Sequence, residues 1–208
     1  MTPDAVLGFW FGAPPADETE LMAKNRRWFD GGDAMDREVN ARFAGAVDAA
    51  LDGRLDAWSA TPHGRLALVI LLDQFTRNVF RDTPRMYAGD ARAQALAIEA
   101  FADGSADRLT FVEQIFLSLP LLHSERLDHH QRDGEIANAI ATKASPFYQP
   151  LAAMRLEQSA KYRDVIARFG RFPHRNAVLG RPSTPAEVDF LADWEAKAPP
   201  SGMRSDEA

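Results

Sequence analysis

The sequence predicts an all-α protein, a single domain built as an array of antiparallel helical hairpins. Apolar residues recur at helical spacing along most of the 208 residues. Threonine–proline pairs mark three helix starts, at Thr2, Thr61 and Thr184. No stretch alternates apolar and polar residues for long enough to predict a strand. The domain is predicted over 1–195, with a frayed, proline-rich tail over 196–208.

Start and stop signals divide the N-terminal half. Thr2 is predicted to cap the first helix, with Asp4 in its first turn. Prolines and charges predict a loop over 12–20, and an apolar stripe predicts a helix over 33–51. The run LALVILL after the second threonine–proline pair has no polar face, so it predicts a central helix that is buried on every side.

The C-terminal half is predicted to be helical as well. The predicted helices are 88–102, ended by Asp103-Gly104; 110–119, stopped before Pro120; Ser124 or Glu125 to Thr142; a helix entered between Pro146 and Pro150 and ended by Gly170; and one from Thr184, with Glu187 completing a capping box. The tetratricopeptide consensus does not recur at a fixed period.

Composition limits the class of protein. A hydrophobic fraction of 46% and a charged fraction of 26% are ordinary for a soluble globular chain. The chain has no cysteine, which excludes disulfides and thiolate chemistry and fits a reducing cytoplasm. No basic leader precedes the first apolar run, and the longest such run, 66–72, is too short to span a membrane. A cytoplasmic location without a membrane partner is therefore expected.

Charge is distributed unevenly. The formal net charge is −6, yet 161–181 holds six basic residues and one acidic residue, a net +5, while 18 basic and 29 acidic residues leave the remainder at −11. An acidic protein repels nucleic acid, so no nucleic-acid partner is expected. The basic segment predicts a small anionic ligand or an acidic peptide end, or internal pairing with acidic neighbours.

A first polar group follows the buried run. Asp73 and Arg77 are four residues apart and can pair on one helical face, and Gln74 and Asn78 form a second predicted pair. One interpretation is a buried hydrogen-bond network that locks helix packing. The other is that Arg77 or Arg81 lines a pocket beside the basic segment.

A second polar group is His123-Ser124-Glu125 with Asp128, His129 and His130. Glu125 and His129 would place an oxygen and a nitrogen on one helical face, but a pair without a third ligand binds metal poorly, so no metal is predicted. Ser124 is interpreted as a helix cap. The chain has no phosphate-binding loop and no dinucleotide fingerprint, so no cofactor is predicted.

The third group lies in the sequence ARFGRFPHRNAVLGRPST, residues 167–184, which Gly170 and Pro173 prevent from forming one helix. Its guanidinium groups suit carboxylate or phosphate, and a histidine that titrates near neutrality could transfer protons. Its candidate ligand-binding residues are Arg168, Arg171, His174, Arg175 and Asn176. In the alternative interpretation, Arg171 and Arg175 cap helices and bridge to acids such as Asp73 or Glu125.

Four segments carry a resemblance to a known family: VLGFWFG (6–12), LLDQFTRNVFRDTPRMYAGDARAQALA (71–97), PLLHSERLDHHQ (120–131) and IARFGRFPHRNAVLGRPSTPAEVDFL (166–191). They resemble the bacterial family called domain of unknown function 924, nearly end to end. The resemblance implies an all-helical fold similar to tetratricopeptide arrays, and no known activity. Its motif covers Asp73, Gln74, Arg77, Asn78, His123, Ser124, Glu125, Arg168, Gly170, Arg171, Pro173, His174, Arg175 and Asn176. Thr76 stands where the family usually has proline, and Tyr162 where many members carry histidine.

We expect the three groups to converge on one concave pocket, and three function classes stay open. The first is a binding module for a small anion or an acidic peptide end. The second is an enzyme of hydrolase-like acid–base chemistry, with His123 or His174 as acid or base and Glu125 as its partner. The third is a scaffold with a groove for a protein partner. The four tryptophans, Trp10, Trp28, Trp58 and Trp194, are expected to pack helices.

Overall fold

A computed structural model describes residues 1–29 and 31–197, and all regular structure in those residues is helical, as predicted. The α-helices are α1 (Pro3–Trp10), α2 (Glu18–Phe29), α3 (Gly32–Leu51), α4 (Pro62–Val69), α5 (Thr76–Val79), α6 (Asp90–Ala102), α7 (Phe111–Leu122), α8 (Leu127–Thr142), α9 (Gln149–Phe169) and α10 (Pro185–Lys197). Short 3-10 turns join several of them. Within the described ranges no helix is long and apolar enough to cross a membrane.

The centre of the fold is the helical stretch from α4 to α5. Thr61 caps its start by accepting a hydrogen bond from the N–H of Gly64. Residues 66–72 are fully buried, which confirms the predicted central helix. Ile70–Phe75, here called the π segment, joins α4 to α5 as a π-helix. Such wider turns are rare and often lie at functional sites.

The other helices pack around this stretch. α1 and α6 contact α4, and α3 contacts the π segment and α5. α7 packs on α8, and α8 packs on α9. Edge-to-face aromatic contacts fill the centre: the Trp10 ring lies 5.4 Å from Phe75 and 5.7 Å from Phe116, and Trp28 lies 4.9 Å from Phe116. The predicted packing role of the tryptophans is confirmed, since Trp58 and Trp194 also pack against the core.

Three predicted boundaries are wrong. α7 continues through Pro120 to Leu122, because a proline near a helix end removes one hydrogen-bond donor while the flanking leucines are almost completely buried. α8 begins at Leu127, after the predicted Ser124 or Glu125. α2 begins inside the predicted loop 12–20, where the Asp17 carboxylate accepts the backbone N–H of Glu20 at 2.9 Å.

Two predicted signals next to the basic segment are confirmed. Gly170 ends α9 in the left-handed conformation, at φ +68°. Thr184 and Glu187 form the capping box of α10, with the Thr184 N–H donating to the Glu187 carboxylate at 2.7 Å. The backbone of α10 reaches Lys197, and the rest of the predicted tail, 198–208, lies outside the described residues.

Candidate functional site

The three predicted polar groups meet in one buried cluster, here called the Asp90 cluster. It contains one residue from each of five elements: Asp73 from the π segment, Arg77 from α5, Asp90 from the start of α6, His123 from the end of α7, and Arg175 from the turn after α9. Each of these residues is at most 9% exposed. Members of all three predicted groups therefore meet, but in the interior of the protein, and the other predicted site residues lie elsewhere.

Asp73 is the most heavily bonded member. Its Oδ1 lies 2.8 Å from His123 Nδ1 and 3.3 Å from Arg77 Nη1, and Gln74 Nε2 donates to its Oδ2 at 2.7 Å. The predicted pairing of Asp73 with Arg77 is confirmed. Burial alone would raise the pKa of the Asp73 carboxyl, but Arg77, His123 and Gln74 together outweigh burial and lower the pKa well below its usual range. Asp73 is thus a buried carboxylate that stays ionised.

Asp90 joins two arginines. Its carboxylate oxygens lie 3.2 and 3.4 Å from the terminal nitrogens of Arg77, and 3.5 Å from Nη1 of Arg175. Burial raises the pKa of Asp90 despite these two guanidinium groups, and the nearby Asp73 charge acts in the same direction as burial. Asp90 is not recognisable as a site residue from the sequence, because an acid in a first helical turn is fully explained by the helix dipole.

Arg175 has one buried hydrogen-bond donor, Nε, without an acceptor among the described residues. Its guanidinium lies between two aromatic rings, 4.6 Å from the Tyr87 centroid and 4.7 Å from Phe172. Its Nε is buried and donates to no atom of the described residues. The 3.5 Å contact with Asp90 is longer than a good hydrogen bond. The Arg175 side chain is 6% exposed, and the Arg77 and Asp90 side chains beside it are 8% and 12% exposed.

Two other arginines of the basic segment, Arg171 and Arg181, are each paired with a carboxylate. Arg171 donates to both carboxylate oxygens of Glu187, at 2.6 and 2.8 Å. Arg181 binds Glu125 in the same bidentate way, at 2.7 and 2.8 Å. The predicted alternative, internal pairing with acidic neighbours, therefore applies to Arg171 and Arg181. The suggested bridges from Arg171 and Arg175 to Asp73 or Glu125 are wrong. Arg171 pairs with Glu187 at the start of α10, and Arg175 contacts Asp90 at the start of α6.

The ion pair of Glu187 gives a pH prediction. Hydrogen bonds from Arg171 and from the Thr184 backbone lower the pKa of Glu187 from 4.5 to about 2. Because the folded-state pKa is depressed, the stabilisation by Glu187 is complete above pH 4.5 and is lost as the pH falls toward 2. The melting temperature of Glu187→Gln should lie below that of the parent at pH 6, and the gap should close between pH 5 and 2. A gap of constant size would contradict the assigned shift.

Three predicted residues lie away from the cluster. Asn78 Nδ2 donates to Asp36 Oδ1 at 2.8 Å, and the Arg81 guanidinium binds the same carboxylate. The predicted Gln74–Asn78 pair is therefore wrong, because the π segment does not keep the i, i+4 spacing of an α-helix. Arg168 is exposed and stacks on Phe169 at 4.6 Å.

The second predicted group is divided among different partners. The Ser124 hydroxyl accepts the Arg126 N–H at 3.2 Å and lies 2.9 Å from His129 Nδ1. The predicted helix cap at Ser124 is wrong, because the N-cap residue of α8 is Arg126, whose side chain makes no capping hydrogen bond. Glu125 accepts the Phe172 N–H at 2.8 Å as well as Arg181. Burial would raise the pKa of Glu125, but these hydrogen bonds lower it below its usual value. The predicted common face for Glu125 and His129 is wrong, because α8 begins after Glu125.

The last two predicted residues flank Arg175 in the chain. The His174 ring is nearly parallel to Trp194 at 6.2 Å and lies 5.2 Å from Phe172. Asn176 accepts from Arg181 Nε at 3.0 Å and donates to Ser183 at 3.1 Å, so it holds the turn rigid. Among the residues that the structure describes, no group of three or more His, Asp or Glu could hold a metal ion.

A groove of about 280 Å³ lies elsewhere, between α6, α7 and α8. Its lining includes Phe101, Ile136 and Ile140, with the Asp107–Lys143 ion pair at its edge. It contains none of the predicted site residues.

The fold and the site define an all-α protein with a buried ion-pair cluster, in which the Nε of Arg175 has no acceptor among the described residues. A family model described as bacterial protein of unknown function, DUF924, matches residues 6–194, and the chain belongs to that family. It is similar to the solved structure of a protein of unknown function, ATU0120, from Agrobacterium tumefaciens. The identity is 34%, the match covers 92% of this chain and 97% of that chain, and the TM-score is 0.76. No curated protein matches the chain.

Proposed function

We propose that the protein binds a small anion, or the acidic end of a peptide, at Arg175. The observation that carries the proposal is a guanidinium held between Tyr87 and Phe172, whose buried Nε has no acceptor in the part of the chain that the structure describes. A buried donor without a partner costs about 1–3 kcal/mol. A carboxylate or phosphate oxygen placed against this donor would recover that free energy through a charge-assisted hydrogen bond.

The paired arginines support the proposal by fixing the turn. Arg171 ties the turn to Glu187 on α10, and Arg181 ties it to Glu125 ahead of α8. The two rings restrict the Arg175 side chain itself. The donors of Arg175 are therefore oriented before a ligand arrives, which lowers the entropy cost of binding.

Thermal shift at constant ionic strength tests the proposal, with acetate and inorganic phosphate as probes. We expect at least acetate to raise the melting temperature of the parent in a saturable way, because a ligand of the native state stabilises it. The shift should disappear in Arg175→Gln and persist in Arg168→Gln, which removes an exposed charge from the same segment. The ligand-induced shift is compared within each variant, so a lower starting melting temperature does not matter. An equal shift in both variants would refute binding at Arg175.

A second candidate function is acid–base catalysis at His123. Asp73 lies 2.8 Å from its Nδ1, and a carboxylate in this position orients an imidazole and stabilises its protonated form. Asp73 thus takes the role that the sequence analysis gave to Glu125. Any hydrolytic activity found with small esters should be lost in His123→Gln, while the acetate shift at Arg175 should remain.

We also propose a cytoplasmic location, which the absence of cysteine supports. We further propose a tetratricopeptide-like stacking of the hairpins, which the successive packing of α7, α8 and α9 supports. The net charge of −6 supports the absence of a nucleic-acid partner. A scaffold role would use the groove between α6, α7 and α8, whose lining is partly apolar.

A further inference from the structure

We infer that anion binding at Arg175 is coupled to the uptake of one proton by Asp90, and that the site therefore prefers singly charged carboxylates to doubly charged phosphate. This inference rests on the proposed function. It comes from the charges that the Asp90 cluster holds and from the unequal way in which its two carboxylates are bonded.

The charges of the two arginines and the two carboxylates cancel when both carboxylates are ionised. Two guanidinium groups, on Arg77 and Arg175, face two carboxylates, on Asp73 and Asp90, and His123 Nδ1 is directed at Asp73. Each of these groups is buried. An anion added at Arg175 brings one negative charge to a site with little water to screen it. Such a charge is costly unless another group neutralises it.

Asp90 is the group placed to accept the compensating proton. Arg77 from α5 and Arg175 from the turn after α9 contact it, while Asp73 from the π segment and His123 from the end of α7 act on it at longer range. The ring of Tyr87 lies beside both guanidinium groups. An anion on Arg175 competes with Asp90 for the same guanidinium, so it weakens one of the two charges that oppose the effect of burial on the pKa of Asp90.

Asp73 does not compete for this proton. Its oxygens are engaged by His123 and Gln74 at 2.7–3.0 Å, whereas the contacts of Asp90 with arginine are 3.2–3.5 Å long. The pKa directions agree with this difference, because burial raises the pKa of Asp90 while the partners of Asp73 lower its pKa. The proton comes from solvent, and the bound state contains one carboxylate ligand and one neutral Asp90.

This balance defines the ligand class. When a carboxylate monoanion binds and Asp90 takes up one proton, the net charge of the cluster with its ligand does not change. A phosphate dianion with one proton leaves an extra buried negative charge. Acetate should therefore bind more tightly than phosphate at about pH 8, where phosphate is doubly charged.

Calorimetric titration of the full chain with acetate, at one pH in two buffers of different ionisation enthalpy, tests the inference. Between the pKa of Asp90 in the unliganded protein and its higher pKa in the complex, we expect about one proton to be taken up per acetate bound and the affinity to fall about tenfold per pH unit. Asp90→Asn should bind acetate with almost no proton uptake and with little pH dependence. Asp128→Asn, which removes an exposed carboxylate, should behave as the parent does.

Three results would overturn the inference. Acetate binding without proton uptake would show that the added charge is not compensated. Proton uptake that persists in Asp90→Asn would place the proton on another group, such as His123. Tighter binding of phosphate than of acetate at about pH 8 would contradict the charge balance. If Asp90→Asn does not fold, the inference is tested by the number of protons that the parent takes up per acetate and by the pH dependence of its affinity. An absence of any acetate binding by the parent would instead refute the proposed function itself.

Discussion

Replacing Asp73 with asparagine is expected to lower the free energy of unfolding by about 3–5 kcal/mol, because the change removes one member of a buried ion-pair cluster and leaves its partners without compensation. Asp73 is fully buried and accepts from His123 and Gln74 beside the Arg77 charge. An amide keeps the size of the side chain but carries no charge. Urea denaturation followed by circular dichroism measures the change.

Asp128→Asn is the matched control for this experiment. Asp128 also pairs with an arginine, Arg126, but both side chains are largely exposed, so no measurable loss of stability is expected. If Asp73→Asn were as stable as the parent to within about 1 kcal/mol, the ionised, tightly bonded state assigned to Asp73 would be wrong.

The second large effect is expected from Gly89→Ala. A Cβ atom at Gly89 would lie 2.1 Å from the backbone oxygen of Leu72 in the π segment. Backbone cannot move aside as a flexible side chain does, so α6 would have to shift away, at a cost of about 3 kcal/mol or more. Asp90 is the next residue and would be displaced with the helix.

Gly8→Ala serves as the control. An added Cβ at Gly8 meets nothing within 4 Å, and the residue lies inside α1. Alanine should stabilise the protein there by about 0.5–1 kcal/mol, because glycine loses more conformational freedom on folding. Equal stability of the two variants would contradict the close approach of α6 to the π segment.

The sequence predicts the parts of this fold that depend on local interactions. The caps at Thr2, Thr61 and Thr184 form as expected because a cap involves residues within one turn. The Asp73–Arg77 pair follows from spacing for the same reason. The predicted helix end before Pro120 is wrong because burial of the leucines around this proline outweighs the loss of one backbone donor.

The partners within the candidate site depend on long-range packing, which spacing does not show. Asp90 meets Arg175 only because α6 begins against the π segment and the turn after α9 folds over both. The sequence predicts Glu187 as part of the capping box of α10. Its ion pair with Arg171 is seen only in the structure. The same packing separates Asn78 and Arg81 from the other candidates, since Asp36 on α3 binds both.

The side-chain Nε–H signals of arginine, observed by nuclear magnetic resonance during an acetate titration, test the central claim most directly. The signal of Arg175, assigned by its loss in Arg175→Lys, should shift with acetate and reach saturation. The signals of Arg171 and Arg181, whose Nε–H groups already donate to Glu187 and Asn176, should stay in place. If the Arg175 signal does not move, or if all three signals drift together without saturation, Arg175 does not bind anions.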